Sequence, residues 1–159
     1  MLVFGIDPGS TATGYAALRR VAGRYVLDAV GVIRTRSSEP LPIRLRTIYR
    51  GLTEVIAQVE PDCVAIESIF KHRSSESALR LGQARGVALL AAAEHNLEVT
   101  AYNPMTVKKT IGGHGRAGKK EMVNLVSRLV NSEKPLASDA ADATAIAMTH
   151  FVNHAWGRS

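Results

Sequence analysis

Residues 3–9 read VFGIDPG, an apolar run that ends at an aspartate followed by a proline and a glycine. The apolar run predicts a buried strand, and the Pro-Gly pair predicts a turn directly after it. Asp7 therefore stands at the carboxyl end of the first strand. Open α/β sheets place their binding sites at such strand ends, which makes Asp7 a candidate functional residue.

The segment after this turn continues the sheet and then covers it. Residues 14–18 and 25–33 have strand character and are separated by Gly23, which predicts an antiparallel meander of three strands. Over residues 42–59 apolar side chains recur at three- and four-residue spacing, and Pro61 follows. This pattern predicts an amphipathic helix after the meander.

The middle of the chain alternates strands and helices. Residues 63–66 are apolar throughout and end at Glu67, as a central parallel strand would. A helix over 76–95 and a strand over 99–102 follow. The alternation predicts an α/β fold with a five-stranded mixed sheet flanked by helices, in a single domain of residues 1–159.

Three more helices are predicted towards the end of the chain. A short helix over 106–110 precedes a glycine-rich loop over 112–118, and further helices cover 119–130 and 138–155. Ser138 stands just before an acidic first turn, so we expect it to cap the last helix.

The charge balance points to a polyanionic partner. The chain contains twenty Lys and Arg residues and fourteen Asp and Glu residues, which gives a net charge of +6 and a pI near 9.8. Nucleic acid is the first partner to consider, although a merely solvated basic surface stays open. No run approaches the roughly 18 apolar residues of a membrane span, and the one cysteine has no disulfide partner, so we expect a cytoplasmic protein.

Two aspartates on the last predicted helix extend the candidate site. Asp139 and Asp142 are three positions apart, so both side chains project from one helix face. The helix dipole alone also favours an acidic first turn, which leaves a structural role open. Five alanines between residues 140 and 147 give the helix small side chains, which would let it lie close to the sheet. The pair would then meet Asp7 and Glu67.

Four carboxylates without a matching His or Cys set predict a site for magnesium or manganese, which prefer oxygen ligands. Two such cations about 4 Å apart can promote in-line cleavage of a phosphodiester. Repulsion among the carboxylates would make the cluster unfavourable until cations enter.

Four segments of the chain together resemble the RuvC Holliday-junction resolvase family. They are, in order, FGIDPGSTATGY, VAIESIF, SALRLGQARGVALLAA and SDAADATAIAMTH. The resemblance implies a ribonuclease-H-like fold and a homodimeric, magnesium-dependent crossover junction endodeoxyribonuclease of homologous recombination and DNA repair. Such an enzyme makes paired symmetric nicks across a four-way DNA junction. RuvA and RuvB, the branch-migration proteins, are the implied partners.

On this resemblance, Asp7, Glu67, Asp139 and Asp142 match the four metal-binding, catalytic carboxylates of the family. The implied mechanism has two magnesium ions at the scissile phosphate, with manganese as a substitute. A lysine beside them would stabilise the developing charge.

Basic and aromatic positions carry over as well. Lys108 and Lys119 match the family's basic residues near the scissile phosphate, but Lys109 and Lys120 leave each assignment open by one residue. Phe70 matches an aromatic position that the family places against bases near the crossover, whereas a core residue continuing the strand is the alternative.

The remaining candidates are basic side chains that could contact phosphates without reading sequence. This weaker group consists of Arg80, Arg85, His114 and Arg116. Lys71, His72 and Arg73 directly follow Phe70, and this polar break favours a loop at the cleft rim. The full set of expected DNA-binding residues is Phe70, Lys71, Arg73, Arg80, Lys108, Lys109, Arg116, Lys119 and Lys120.

Two other functions are compatible with parts of the sequence. The pattern DPGSTATG also resembles the first phosphate loop of actin-like and sugar-kinase ATPases, although those enzymes need two such domains and 159 residues cannot supply both. A junction-binding module without cleavage is the non-enzymatic alternative, but such a binder gains nothing from four acids facing DNA. For the dimer face, the apolar and small residues over 79–93 are our candidate.

Overall fold

A computed structural model describes residues 1–68, 74–113 and 117–156 of the chain. In these ranges five strands form one sheet and five helices cover it. Within them no helix combines the length and apolarity needed to cross a membrane. The elements are β1 Leu2–Asp7, β2 Ala12–Val21, β3 Arg24–Arg34, α1 Leu41–Val59, β4 Cys63–Glu67, α2 Ser75–Glu94, β5 Glu98–Tyr102, α3 Pro104–Gly112, α4 Lys119–Leu129 and α5 Ser138–Trp156.

The sheet is mixed, with strand order β3-β2-β1-β4-β5. The first three strands form the predicted antiparallel meander, and β4 and β5 add to β1 in parallel. Ala22 and Gly23 join β2 to β3 with positive φ values of 49° and 79°, the conformation that a two-residue hairpin turn requires. The predicted five-stranded mixed sheet with flanking helices is therefore confirmed.

The two faces of the sheet are covered by different helices. Successive strand residues point to opposite faces. On β1, Phe4 and Ile6 pack with α1 and α2, whereas Val3 packs with α3, α4 and α5. Gly5 and Asp7 share the alternation of Val3. The side chain of Asp7 therefore faces α5.

Helix α5 lies unusually close to the sheet. A Cβ added at Gly14 would stand 1.9 Å from the backbone oxygen of Asp139, and one at Gly5 would stand 2.1 Å from that of Ala143. No side chain fits in so little space, so the two glycines let the α5 backbone rest directly on β1 and β2. The alanines of α5 between residues 140 and 147 are all buried, which confirms the expected close approach of this helix.

The predicted N-cap at Ser138 is wrong. Ser138 is the first residue of α5, and the carbonyl of Ala137 accepts the amide of Ala141 at 2.8 Å. The N-cap is the residue immediately before the first helical turn, and Ala137 occupies that position. The Ser138 hydroxyl is buried and finds no hydrogen-bond partner among the described residues.

The close approach of α5 predicts that Gly14→Ala destabilises the protein, because the added methyl group meets a backbone oxygen that can only move with the helix. We expect a loss of about 1–3 kcal/mol in the free energy of unfolding, measured by urea denaturation.

Gly51→Ala is the matched control, because a Cβ at Gly51 meets the Ile33 side chain, nearest at its terminal Cδ1 at 2.8 Å, and no backbone atom is among the three nearest. Its effect should stay within about 1 kcal/mol of the wild-type protein, since the helix propensity of alanine offsets the small movement required of Ile33. A Gly14→Ala protein as stable as Gly51→Ala would contradict the predicted contact.

Candidate active site

The carboxyl ends of β1 and β4 bring two acids side by side. Ile6 pairs with Ile66 in the parallel ladder, so the next residues on each strand, Asp7 and Glu67, are neighbours. Both follow the alternation that faces α5. They open into a cleft of about 390 Å³. Its lining residues are Asp7, Glu67, Pro104, Val107, Lys108, Lys119, Met122, Asp142 and Ile146.

The acids of α5 reach the same place from above the sheet. Asp142 lines the cleft with Asp7 and Glu67. Asp139 lies about one turn earlier, half-buried, with its backbone oxygen against Gly14. It is not part of the cleft wall, yet its charge raises the pKa of both Asp7 and Asp142. The four predicted carboxylates are thus brought together, with Asp139 at the margin.

Burial and mutual repulsion raise the pKa of Asp7, Glu67 and Asp142. Burial, followed by the charges of Glu67, Asp142 and Asp139, raises the pKa of Asp7 to about 8. Burial is also the main cause of the raised pKa of Glu67 and of Asp142. Asp7 is therefore the most strongly perturbed carboxyl group of the cleft.

Two lysines oppose this accumulation of negative charge. The ammonium of Lys119 lies 3.9 Å from Oδ2 of Asp142. Lys108 and Lys119 both lower the pKa of Glu67 and of Asp142. Lys109 is exposed on α3 outside the cleft wall, and Lys120 lines a separate groove along α4. Of each adjacent pair, the cleft thus takes Lys108 and Lys119.

The donor set suits a hard divalent cation, since Asp7, Glu67 and Asp142 offer only carboxylate oxygens. Within residues 1–68, 74–113 and 117–156, no group of His, Cys, Asp and Glu side chains is already arranged to hold a metal ion. Binding would require the carboxylates to draw together. A cation favours that movement because it removes the repulsion between them.

Neighbouring side chains fix the strand ends that carry the acids. Arg85 of α2 donates from Nε to the carbonyl of Glu67 at 3.1 Å, so this residue, expected to contact phosphate, is engaged within the fold. His150 of α5 lies 3.0 Å from the Tyr102 hydroxyl and 3.4 Å from the Cys63 sulfur. Through these contacts α5 is tied to β4 and β5. Burial raises the pKa of the Cys63 thiol to about 11, so the thiol stays protonated.

The loop after Asp7 is held by inward hydrogen bonds. Thr13 donates its hydroxyl to the carbonyl of Gly9 at 2.8 Å, and Thr35 donates its hydroxyl to the carbonyl of Ser10 at 2.7 Å. Arg44 of α1 donates from Nε and Nη2 to the same Ser10 carbonyl, at 3.1 and 2.9 Å. Sequence reasoning missed Arg44, although it stands four residues before Ile48 on the buried stripe of α1.

The other predicted DNA-binding residues are placed less decisively. Arg80 is exposed on α2 and forms an ion pair with Glu76 one turn earlier. Lys120 lines the α4 groove of about 690 Å³ together with Arg128, a cation that sequence reasoning did not select. The remaining candidates lie outside the described residues; they are Phe70, Lys71, His72, Arg73, His114 and Arg116.

Comparisons with known proteins agree on one family. The family profile described as "Crossover junction endodeoxyribonuclease RuvC" matches residues 3–150. The protein of that name from Histophilus somni is 49% identical over 150 residues, which cover 94% of this chain and 78% of the relative. The Haemophilus influenzae relative of the same name is 47% identical with the same coverage.

A solved structure shares the whole architecture. The Thermus thermophilus RuvC structure, a complex with a Holliday junction substrate, superimposes with a TM-score of 0.91 at 37% identity. The match covers 99% of this chain and 96% of that one. It confirms the expected ribonuclease-H-like fold.

The raised pKa of Asp7 predicts an unusual pH dependence of stability in the metal-free protein. Between about pH 4 and pH 8 the folded state keeps a proton that the unfolded chain has already lost, so the free energy of unfolding falls as pH rises. Asp7→Asn removes this penalty. In EDTA, urea denaturation should therefore show the variant gaining on the wild-type protein from pH 5 to pH 8.

Magnesium provides the control for this prediction. Adding it should stabilise the wild-type protein at pH 8 and stabilise Asp7→Asn much less, because a neutral amide is a poorer ligand. A stability difference between the two proteins that does not change with pH would contradict the assignment of Asp7 as a protonated, buried acid.

Proposed function

The chain belongs to the RuvC family of crossover junction endodeoxyribonucleases, and we propose that it resolves four-way DNA junctions by paired symmetric nicks. The nuclease would act in homologous recombination and DNA repair. One observation carries the proposal: Asp7, Glu67, Asp142 and two lysines share a single cleft at the ends of neighbouring parallel strands. The basic net charge of +6 suits a nucleic-acid substrate.

The family is metal-dependent, and we propose two magnesium ions per active site, with manganese as a substitute. Asp7, Glu67, Asp139 and Asp142 would hold them. When bound, such ions lower the pKa of a water molecule and neutralise charge on the phosphate. Oxygen-only donors favour this ligand class, and the ions would neutralise the neighbouring carboxylate charges that help to raise the pKa of Asp7.

The cleft lysines would act on the reacting phosphate. Lys119 and Lys108 bring positive charge to the cleft that contains the acids. This charge can stabilise the phosphate as its bond to the leaving 3′ oxygen breaks. Lys119 is 69% exposed in its side chain, so it can reach a substrate lying across the cleft. We assign Lys109 and Lys120 to the flanking DNA, together with Arg80.

Four further DNA contacts are proposed from sequence alone, since they fall outside the described residues. Phe70 would stack on opened bases near the crossover. Lys71, Arg73 and Arg116 would contact phosphates and so position the junction without reading sequence. The Thermus thermophilus RuvC structure contains a Holliday junction substrate, which supports a four-way junction as the DNA that is bound.

Two symmetric nicks require two related sites, so we propose a homodimer. The supporting feature is the outer face of α2, where Leu79 and Leu90 are 62% and 53% exposed. Gly86 lies between them, at seven and four residues' distance, and its α-carbon faces open space. Such an apolar face with a central glycine allows the close approach of a second α2 helix.

We further propose that residues 1–159 work as one nuclease domain in the cytoplasm, downstream of RuvA and RuvB. The covering of both sheet faces by helices of the same chain supports the single domain. The family itself is the support for the two branch-migration proteins.

The function is tested with a mobile four-way junction and a linear duplex of matched sequence, each incubated with magnesium or EDTA. We expect magnesium-dependent paired nicks in the junction alone, resolved on denaturing gels. Asp142→Asn should lower the cleavage rate more than about 100-fold, since even outer-shell changes at metal sites cost 10–100-fold. Junction binding without cuts in the wild-type protein would favour the non-enzymatic module instead.

The dimer is tested with the double variant Leu79→Arg, Leu90→Arg, which places two charges on the proposed interface. Light scattering with junction DNA should give the mass of a bound monomer for the variant and of a bound dimer for the wild-type protein. The variant should make single nicks in place of paired ones. Leu129→Arg is the control, because Leu129 is a 44% exposed leucine on α4, away from this face. A double variant that stays dimeric would exclude the α2 face.

A further inference from the structure

Arg44 is a buried cation without a carboxylate partner. Arg44 is only 7% exposed. None of the salt bridges among the described residues includes it. Burying a guanidinium is unfavourable unless an anion or several hydrogen bonds compensate for it. Hydrogen bonds to Ser10 supply part of this compensation, and a bound anion could supply the rest.

The hydrogen bonds of Arg44 leave one side of its guanidinium free. Nε and Nη2 both donate to the Ser10 carbonyl, and Nη2 also lies 2.8 Å from the Ser10 hydroxyl. In the described part of the chain Nη1 has no hydrogen bond, yet it is not among the buried unpartnered atoms found there. Among the described residues nothing therefore occupies the Nη1 donors, which leaves them for a ligand.

The loop beside Arg44 presents donors in the same way. The carbonyls of Gly9, Ser10 and Thr11 all accept hydrogen bonds from inside the fold. By contrast, the amides of Ser10 and Thr11 make none with any described residue. A loop whose carbonyls already accept hydrogen bonds and whose amides have no partner among the described residues can bind an anion through those amides.

The position of the loop relates it to the reaction. Ser10 is three residues from Asp7, so the two lie within about 11 Å of each other. Successive nucleotides of one strand rise about 3.4 Å along the helix axis, so this upper limit corresponds to at most about three nucleotide steps. A DNA strand lying across the cleft would thus bring a neighbouring phosphate to the loop.

We propose that Arg44 and the amides of Ser10 and Thr11 form a phosphate subsite, which binds a DNA backbone phosphate within three nucleotides of the cut. This subsite rests on the proposed function and adds a contact that anchors the strand beside the carboxylates. The bound phosphate supplies the anion that Arg44 lacks. The contact positions the strand and carries no sequence specificity.

The test is a neutralisation scan of the phosphates. Methylphosphonates replace single phosphates, one junction at a time, at the three positions on each side of the cut and at a distant control position. Affinity is measured in EDTA, where no cleavage is expected. In the wild-type protein one nearby position should weaken binding about tenfold, and in Arg44→Gln the same replacement should have little effect.

A matched variant separates this site from general charge. Arg46→Gln removes the same charge from an exposed position on the same helix. In its scan the affinity should fall at the same phosphate position as in the wild-type protein. Arg44→Gln should also reduce the slope of log K against log salt by about 0.9, the value for one phosphate contact. A scan that is flat near the cut, or equal in wild-type and Arg44→Gln proteins, would overturn the subsite.

Folding failure of Arg44→Gln is covered by Arg44→Lys, which keeps the charge but lacks the planar fork. In Arg44→Lys the methylphosphonate at this position should cost less affinity than in the wild-type protein. An equal loss of affinity in the two proteins would count against the proposal. Inorganic phosphate and ATP, each at millimolar concentration, should not displace the junction. ATP binding that depends on Arg44 would instead identify a nucleotide site and refute the DNA subsite.

Failure of the subsite can be distinguished from failure of the proposed function. The scan measures binding alone, whereas the function is judged by nicks in the unmodified junction with magnesium. A protein that cuts the unmodified junction but shows a flat scan keeps the function and loses the subsite.

Discussion

The contact between the α5 backbone and the glycines of β1 and β2 is the constraint on which the site depends. Gly14 pairs with Asp7 across the antiparallel ladder, and the same glycine touches the backbone of Asp139. One missing side chain therefore sets both the strand-to-helix distance and the separation of two acids. Because the interior is close-packed, any added bulk at this point must move α5 and the carboxylates with it.

The fold holds the acids together against their own repulsion. Their negative charges and their burial both disfavour ionisation, and the two cleft lysines offset only part of that cost. Contacts outside the cleft stabilise the strand ends and the helix against this repulsion. Arg85 donates a hydrogen bond to the Glu67 carbonyl at the end of β4, and His150 links α5 to Tyr102. A site assembled in this way is destabilising without a bound cation, as functional sites commonly are.

Local patterns in the sequence were sufficient for the elements and for the position of the acids on them. The apolar run before Asp7 and the matching run before Glu67 specify strand ends, because burial on both faces demands continuous apolar residues. The alanines of α5 revealed that this helix packs closely. Ser138 was misassigned because a serine before acids fits a cap equally well one residue inside or outside the helix start.

What only the tertiary structure decided are the relations between distant elements. The choice of Lys108 over Lys109 and of Lys119 over Lys120 depends on which helix face meets the cleft, and one residue turns that face by about 100°. Arg44 was not selected as a candidate, because nothing in its own helix shows the Ser10 carbonyl to which it donates. Sequence periodicity encodes local conformation and burial, whereas convergence in a site is set by strand register and helix packing across the whole chain.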